Sequence, residues 1–362
     1  MRARARSRWL PPRQARRLAY GAAALDTLAL PLMIAIAAAA LSAALCVVLR
    51  PLLLRYALAR PNARSSHAIP TPQGGGIAVL AGCFAAVALA LALTAAPMRE
   101  LAIVMLAAGL LALVGAWDDI RPLPASIRLG LQGLCVGLVL SYAAPGLRLF
   151  PELMPLAVER GLALLAGVWF VNLVNFMDGL DWITVAGMVP LTGALALSAG
   201  FGLLDPGSAW LAAGLCGGLL GFAPFNRPVA RLFLGDVGSL PIGLVTAYLL
   251  YRLAAQGALA AALILPLYHL VDATVTLLRR LARGERVWEA HRSHFYQQAT
   301  TNGHGVPAVV ARVALLNLVL IGLAYLSTLT TRLDATLLCL ATALLLTGLV
   351  ARGFTRPART DA

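Results

Sequence analysis

The sequence contains no lysine, and charged residues of any kind make up only 12% of its 362 positions. An ordinary soluble domain carries about twice that charged fraction. Hydrophobic residues make up 60%, so too few ionic groups remain to cover a water-exposed surface. An oversized core does not resolve this mismatch, because single cores stop growing near this chain length. The composition therefore excludes a soluble globular protein and favours a protein whose surface faces lipid.

Cysteine is also scarce. The five cysteines lie singly inside apolar runs, and no two of them have the spacing of a metal site. Isolated cysteines of this kind behave as small buried hydrophobic residues. A disulfide framework or a cysteine-based zinc site is therefore not indicated.

All 29 basic residues are arginine, and the net charge is +14. Such a charge can indicate nucleic-acid binding. Here, however, the arginines occupy short loops between apolar runs, as the positive-inside rule for membrane proteins predicts. We expect a membrane and no nucleic acid as the partner.

Eleven apolar segments approach or exceed the ~20 residues needed to cross a bilayer. Their Ala, Leu, Val and Gly content is typical of closely packed transmembrane helices. The sequence predicts an all-α fold, a polytopic transmembrane bundle of about 10–11 helices in one domain over 27–354, followed by a short cytoplasmic tail at 355–362. The predicted spans are 27–50, 75–96, 101–117, 126–143, 161–176, 183–203, 208–223, 238–254, 257–278, 306–329 and 332–351.

The arginines also predict orientation. Most of those beyond the N-terminal stretch lie in or beside the loops near 51–74, 118–128, 177–182, 224–237 and 279–304. The opposite loops hold only Arg99, Arg148, Arg160, Arg252 and Arg332. We therefore expect the first set of loops, and the C-terminus, on the cytoplasmic side of a bacterial inner membrane.

Residues 1–26 disagree with this topology. They form an arginine-rich extension, yet an odd number of spans places them outside. They lack the layout of a signal peptide. Either this extension is an over-extended start, with Met33 as the true initiator, or the span count is wrong by one.

Acidic residues and histidines collect on the arginine-rich side. Carboxylates from several loops on one membrane face are costly unless a cation neutralises them. Mg²⁺, with Mn²⁺ as an alternative, suits a few carboxylates together with substrate phosphates. Zinc is disfavoured, because no Cys/His set has ligand spacing. The residues concerned are Asp118, Asp119, Asp178, Asp181, Asp236, Asp272, Glu285, Glu289, His67, His291, His294 and His304.

Five stretches carry this chemistry. Asp118 and Asp119 are adjacent carboxylates that repel unless a cation is bound. Asn175, Asp178 and Asp181 have helical spacing and are predicted to line one helix face. Asp236 lies on a glycine-bounded turn whose amides could meet phosphate.

The other two stretches allow a functional and a structural interpretation. The run from His67 to Gly76 opens a span, so its glycines either face a phosphate or only permit close helix packing. His291, Arg292 and His294 in the longest cytoplasmic loop suit a diphosphate or are simply solvated.

In this order, the five stretches resemble the bacterial polyprenyl-phosphate N-acetylhexosamine-1-phosphate transferases, which include the MraY, WecA and TagO types. The resemblance covers residues from about 60 to 300. It implies an enzyme that joins a sugar phosphate from a UDP-amino sugar to polyprenyl phosphate and releases UMP. A membrane transporter of an anionic lipid or nucleotide sugar is the alternative.

The resemblance also implies residue roles. Asp118, Asp119 and Asp236 match the catalytic and Mg²⁺-binding aspartates. The other matching positions are substrate-binding: Asn175, Asp178, Asp181, Asn226, Phe233, His291, Arg292 and His294. His67 is also a substrate-binding candidate, since it or Arg64 must serve in place of the first-loop lysine of MraY-type members. The lipid phosphate attacks directly in our preferred mechanism, and a covalent aspartyl intermediate is the alternative. Whether the chain acts alone or as a homodimer is left open.

Three positions depart from the family pattern. Trp182 replaces the last glycine of the family's DGxDG stretch, and the first-loop lysine of MraY-type members is missing. The last loop reads HRSHFYQ instead of a histidine run. The form of this last loop resembles initiators of O-antigen-like surface glycans more than the peptidoglycan enzyme. We also expect a lipid groove near spans 5, 8 and 9, with the ninth span bent near Pro266.

Overall fold

The computed structural model describes residues 12–59, 70–94, 96, 99–287, 289 and 291–358, with side chains of the first helix from residue 28 onward. His67 falls in the gap at 60–69, outside the described residues. Its substrate-binding role therefore stays a prediction.

The described chain is a bundle of helices. They are α1 (Pro12–Tyr56), α2 (Gly75–Thr94), α3 (Arg99–Ile120), α4 (Ala125–Leu138), α5 (Leu156–Phe176), α6 (Ile183–Leu197), α7 (Pro206–Phe222), α8 (Asp236–Ala255), α9 (Leu259–Ile264), α10 (Leu267–Ala282), α11 (Phe295–Thr301), α12 (Val306–Leu329) and α13 (Leu333–Phe354). A π-helical turn extends α4 over Val139–Ala143, and a 3-10 turn extends α6 over Ser198–Phe201. Two short antiparallel strands, β1 (Leu58–Ala59) and β2 (Thr71–Pro72), pair Leu58 with Pro72 and Ala59 with Thr71.

The polytopic all-α prediction is confirmed. Within the described residues, nine helices are long and apolar enough to cross a membrane, and α7 is a shorter apolar helix. The remaining predicted span, 257–278, is divided into α9 and α10 at Pro266. Proline lacks a backbone N–H and cannot continue the helical ladder. The predicted bend at this residue is thereby confirmed.

The first helix begins earlier than the sequence predicted. It runs unbroken from Pro12 for 45 residues, which corresponds to ~67 Å at 1.5 Å per residue. The hydrocarbon core of a bilayer is only ~30 Å thick. The predicted boundary between residues 26 and 27 therefore falls inside α1, while residues 1–11 lie outside the described part of the chain.

Helix α8 lies at the centre of the bundle. Of its apolar stretch, 83% is buried, compared with 17% for α13. It packs against α2, α3, α5 and α9. Gly115 of α3 lies against the backbone carbonyl of Asp236, where a Cβ atom would overlap the main chain. The absence of a side chain at residue 115 therefore allows α3 to approach the first turn of α8.

This close approach predicts that Gly115→Val will separate the two helices. Overpacking of this kind costs ~1–3 kcal/mol, so we expect a lower thermal unfolding midpoint in detergent. Gly109→Val is the matched control, because a Cβ atom at Gly109, on the same helix, would have no neighbour within 4 Å. Equal midpoints for the two variants would contradict the assigned contact.

Candidate active site

The predicted polar segments converge at one end of the bundle. Asp119 at the end of α3 hydrogen-bonds to the start of α8. Trp182 before α6 bonds to Asn226 after α7, and Tyr296 in α11 bonds to Phe176 at the end of α5. The expectation that separate loops meet on a single face is therefore confirmed by direct contacts.

The Asp119 carboxylate caps α8 from a different helix. Its Oδ1 accepts from the Asp236 N–H at 2.9 Å, and its Oδ2 accepts from the Val237 N–H at 3.1 Å. Gly235 precedes this turn with φ +77°, and a Cβ there would lie 2.6 Å from Asp119 Oδ2. Gln73 adds a hydrogen bond to the Asp119 carbonyl at 2.7 Å. Asp119 thus fixes the position of Asp236.

Asp118 and Asp236 share one arginine. Arg128 Nη1 lies 2.7 Å from Asp118 Oδ2 and 3.8 Å from Asp236 Oδ2. The other Asp118 oxygen accepts the Leu123 N–H at 2.6 Å. Sequence reasoning counted Arg128 only for orientation. The signal for its role was the short proline-containing link between α3 and α4, which places the first turn of α4 beside Asp118.

Asn175 completes the surroundings of Asp236. Its Nδ2 donates to Asp236 Oδ1 at 2.6 Å and also lies 2.9 Å from Ser239 Oγ. The Asp236 carboxylate therefore lies near Arg128 of α4 and accepts a hydrogen bond from Asn175 of α5. Its backbone forms the start of α8, which Asp119 of α3 holds in place.

The prediction that Asn175, Asp178 and Asp181 share one helix face is wrong. Helix α5 ends at Phe176, so the two aspartates lie in the following loop. Asp178 accepts a hydrogen bond from the Thr184 hydroxyl, whereas Asp181 Oδ2 accepts the Ala230 N–H at 2.9 Å. The three side chains remain at the same end of the bundle but have different partners.

Asp178 has an unusual electrostatic environment. Burial raises the pKa of its carboxyl to about 7, and the negative charges of Asp119 and Asp181 raise it further while the Thr184 hydroxyl opposes the shift. Asp178 thus changes charge near neutral pH instead of remaining a permanent anion.

Trp182 adopts a left-handed conformation with φ 65°. This conformation costs roughly 1–2 kcal/mol for a residue with a side chain. Its backbone N–H donates to Asn226 Oδ1 at 2.8 Å, and its indole N–H donates to the Ala223 carbonyl at 2.6 Å. Asn226 in turn donates to the Leu232 carbonyl at 3.1 Å. These bonds hold Trp182 where the family has glycine, and they fasten the 224–232 loop.

The glycine run does not present its amides to a phosphate. The N–H groups of Gly74 and Gly75 donate to the Phe233 carbonyl, and that of Gly76 donates to the Leu234 carbonyl. The phosphate-facing interpretation of these amides is wrong, and the close-packing interpretation holds. The amides of Asp236 and Val237 are likewise occupied by Asp119. The half-buried Phe233 ring lies at this junction.

The last loop folds onto the same end. His294 is only 3% exposed, and its ring stacks on that of His291 at 4.8 Å. Tyr296 donates to the Phe176 carbonyl at 2.8 Å, so the loop docks on α5. Arg292 is exposed. Burial, followed by the charges of His294 and Arg280, lowers the pKa of His291 to about 4. His291 is therefore neutral at physiological pH.

The carboxylates do not form a preassembled metal cage. Within the described residues, no three His, Cys, Asp or Glu side chains group closely enough to hold an ion. Asp118 and Asp236 nevertheless have hard oxygen donors that both lie near the Arg128 guanidinium. Mg²⁺ commonly uses one or two carboxylates plus substrate phosphates, so these two residues fit it. Asp119 as a third ligand stays a prediction.

An apolar cavity of about 270 Å³ lies between α4, α5, α8, α9 and α10. Trp169 and Phe170 of α5, Leu244 of α8 and Pro266 at the α9–α10 break are among its lining residues. Phe170 precedes Asn175 by five residues, or ~7.5 Å along the helix. The cavity lies beside spans 5, 8 and 9, as predicted, but Leu149, Tyr251 and Ala254 also line it, so it extends towards the end of the bundle opposite the acidic site.

Known proteins are similar in sequence to this chain. The profile of Glycosyl transferase family 4 matches residues 101–254, which include Asp118, Asp119, Asn175 and Asp236. Decaprenyl-phosphate N-acetylglucosaminephosphotransferase of Mycobacterium leprae is 27% identical over 72% of this chain and 74% of the relative. A probable undecaprenyl-phosphate N-acetylglucosaminyl 1-phosphate transferase of Bacillus subtilis is 25% identical over 71% and 75%. Phospho-N-acetylmuramoyl-pentapeptide-transferase of Heliobacterium modesticaldum is 30% identical over 48% and 58%.

The described part of the chain thus combines a bundle of candidate membrane-spanning helices with an acidic site at one end and an apolar cavity. Over residues 101–254 the chain is similar to Glycosyl transferase family 4, and these relatives are named as transferases of N-acetylglucosamine phosphate or of phospho-N-acetylmuramoyl-pentapeptide. The family profile ends before the histidine loop, so the roles of His291, Arg292 and His294 stay predictions.

The raised pKa of Asp178 predicts a pH-dependent stability. The carboxyl of the folded protein keeps its proton up to about pH 7, whereas an unfolded aspartate loses it near pH 4. Stability is therefore highest below pH 4 and falls as the pH rises to about 7. Asp178→Asn should remove this loss, so its unfolding midpoint should exceed that of the wild type increasingly between pH 4 and 7. Glu152→Gln, at an exposed position, is the control, and a constant Asp178→Asn difference would contradict the assignment.

Proposed function

We propose that this protein transfers an N-acetylhexosamine-type sugar 1-phosphate from a UDP-sugar to polyprenyl phosphate, such as undecaprenyl phosphate, and releases UMP. The observation that carries the proposal is the Asp118–Arg128–Asp236 cluster at one end of the bundle, in a chain whose helices also enclose an apolar cavity that begins at Phe170, five residues before Asn175. The relatives named for polyprenyl-phosphate substrates support the lipid acceptor and the amino sugar. The arginine distribution supports a site on the cytoplasmic face of a bacterial inner membrane.

The acceptor lipid explains the pairing of a polar end with an apolar cavity. Exposing an isoprenoid tail to water would cost ~0.8 kcal/mol per CH₂ group. We assign the first isoprene units to the cavity lined by Trp169, Phe170 and Pro266. The phosphate then lies at the level of Asn175 and Asp236, and the UDP-sugar enters from the aqueous side.

Asp118 and Asp236 would hold Mg²⁺ together with oxygens of the donor diphosphate. When bound, the ion would neutralise charge on the diphosphate and on the departing UMP. Arg128 forms an ion pair with Asp118 and lies near Asp236, so it offsets one negative charge of this pair in the absence of substrate. Asp119 maintains this arrangement by holding the first two amides of α8.

The remaining residues bind and orient the substrates. The lipid phosphate attacks the β-phosphorus of the UDP-sugar directly, since a phosphate monoester with a second pKa of ~6 is already largely dianionic at neutral pH. A strong general base is therefore not required. We assign the nucleotide to the loops of Asp178, Asn226 and Phe233, and the diphosphate or sugar to the last-loop residues His291, Arg292 and His294. Rapid UMP release without lipid would establish the covalent alternative instead.

We propose that the donor is a UDP-sugar of the kind that initiates O-antigen-type surface glycans. The HRSHFYQ loop and the lack of a first-loop lysine distinguish this chain from the MraY pattern. Relatives named for N-acetylglucosaminyl 1-phosphate transfer and for phospho-N-acetylmuramoyl-pentapeptide transfer both align with the chain, so the sugar must be identified by assay. The transporter alternative receives no support from these relatives, all of which are named as transferases.

Purified protein incubated with polyprenyl phosphate and a panel of UDP-sugars should yield a sugar-diphospholipid, detected by mass. Asp236→Asn and Asp118→Asn should each reduce turnover by at least about 100-fold, because ligand loss removes charge stabilisation. Chelation should abolish activity, and Mg²⁺ or Mn²⁺ should restore it. Asp334→Asn, at the opposite end beside Arg332, is the control. Near-normal turnover by Asp236→Asn would refute the site.

A bulky side chain in the cavity should compete with the lipid tail. Ala166, an exposed residue that lines the cavity, is suited to this test. Ala166→Phe should raise the KM for polyprenyl phosphate about 10-fold, equivalent to ~1.4 kcal/mol, and leave the KM for the UDP-sugar unchanged. Ala341→Phe, exposed on α13 away from the cavity, is the matched control. A normal KM for polyprenyl phosphate in Ala166→Phe would show that the lipid tail does not bind in this cavity.

A further inference from the structure

Asp272 is a fully buried carboxylate on α10 to which sequence reasoning assigned no role. It accepts hydrogen bonds from two backbone N–H groups, those of Phe295 at 3.0 Å and Tyr296 at 3.2 Å. The Tyr268 hydroxyl donates to its Oδ2 at 3.1 Å, and the Thr276 hydroxyl lies 3.4 Å from its Oδ1. A buried carboxylate is tolerated only when it is satisfied in this way.

The fifth partner of Asp272 is a side chain of the proposed site. His294 Nδ1 lies 3.1 Å from Asp272 Oδ1. An ionised carboxylate can only accept, so the proton of this hydrogen bond belongs to Nδ1. In the neutral ring Nε2 is then an acceptor, and in the protonated ring it is a second donor.

The ring of His294 is also fixed in orientation. It stacks on His291 at 4.8 Å and on Tyr296 at 5.8 Å, and Phe176 lies 6.1 Å away. Both neighbours on the loop are themselves held, His291 by Ser293 Oγ at 2.8 Å and Tyr296 by the Phe176 carbonyl at 2.8 Å. Among the described residues, none forms a hydrogen bond with His294 Nε2. His294 is 3% exposed, and its Nε2 is not among the fully enclosed, unpaired side-chain atoms of the described residues.

We infer that Asp272 is a positioning residue, which orients His294 and fixes its tautomer so that Nε2 faces the donor diphosphate or sugar. This inference rests on the proposed function, in which His294 meets that part of the substrate. When a carboxylate that is hydrogen-bonded to the second ring nitrogen of a functional histidine is removed, activity typically falls about 10- to 100-fold. Asp272 links α10, which follows the cavity, to the loop that would meet the sugar phosphate.

The competing interpretation is that Asp272 only fastens the start of α11. Tyr268→Phe separates the two, since it removes one hydrogen bond from the same carboxylate without touching His294. Asp272→Asn keeps the size of the side chain but removes its charge. Under the positioning role, Asp272→Asn should lower kcat about 10- to 100-fold with little change in KM for the lipid, whereas Tyr268→Phe should retain most activity. Parallel losses in both variants would overturn the inference.

A double-mutant cycle tests whether Asp272 acts through His294. If it does, Asp272→Asn should cause no further loss in a His294→Ala background, because the interaction that it supports has already been removed. Losses that multiply would show an independent, structural contribution and would overturn the inference. Full activity of His294→Ala would instead remove His294 from the proposed site.

The tautomer can be measured without any substrate. In full-length protein labelled with ¹⁵N-histidine, the His294 signals are identified by their loss in His294→Ala. We expect a protonated Nδ1 in the wild type and a changed pattern in Asp272→Asn, and a wild-type ring protonated only at Nε2 would overturn the inference. This result stands even if no UDP-sugar is turned over, which would refute the proposed function alone. The wild-type measurement also remains decisive if Asp272→Asn fails to fold.

Discussion

Both oxygens of the Asp119 carboxylate are bound to the first two amides of α8, and the rest of the site depends on this contact. A helix start has unpaired N–H groups and a partial positive charge, so a carboxylate is a favourable partner there. Here the carboxylate comes from a different helix. Gly115 permits the close approach of α3, and Gly235 leaves room for the carboxylate. The contact therefore determines where Asp236 meets its partners.

Charge balance is the second constraint. Asp118 and Asp236 both lie at the membrane boundary, where repulsion between like charges exceeds its value in water severalfold. Arg128 lies near both and offsets one of the two negative charges. Under the proposed function, a divalent ion arriving with the donor diphosphate would meet carboxylates that are already preorganised. The resting protein thus tolerates an acidic site without a preassembled three-residue cage among its described residues.

The break at Pro266 connects the apolar and polar halves of the molecule. Pro266 lines the cavity, and α10 begins directly after it. Asp272 follows six residues later, ~9 Å along the helix, and accepts hydrogen bonds from the first two amides of α11, directly after His294. A single interrupted span therefore shapes the proposed lipid site and supports the proposed sugar-phosphate site.

The sequence by itself determined the all-α membrane fold, the bend at Pro266 and the gathering of acids on one face, because hydropathy, proline chemistry and loop charge are local properties. It could not assign partners to those acids. In the tertiary structure, Asp119 accepts hydrogen bonds from backbone amides, and Asp118 forms an ion pair with Arg128. The amides of Gly74, Gly75 and Gly76 donate to the carbonyls of Phe233 and Leu234. Helix α5 also ends before Asp178, which removed the predicted common helix face. These outcomes depend on distances between segments far apart in the chain, and only helix packing sets those distances.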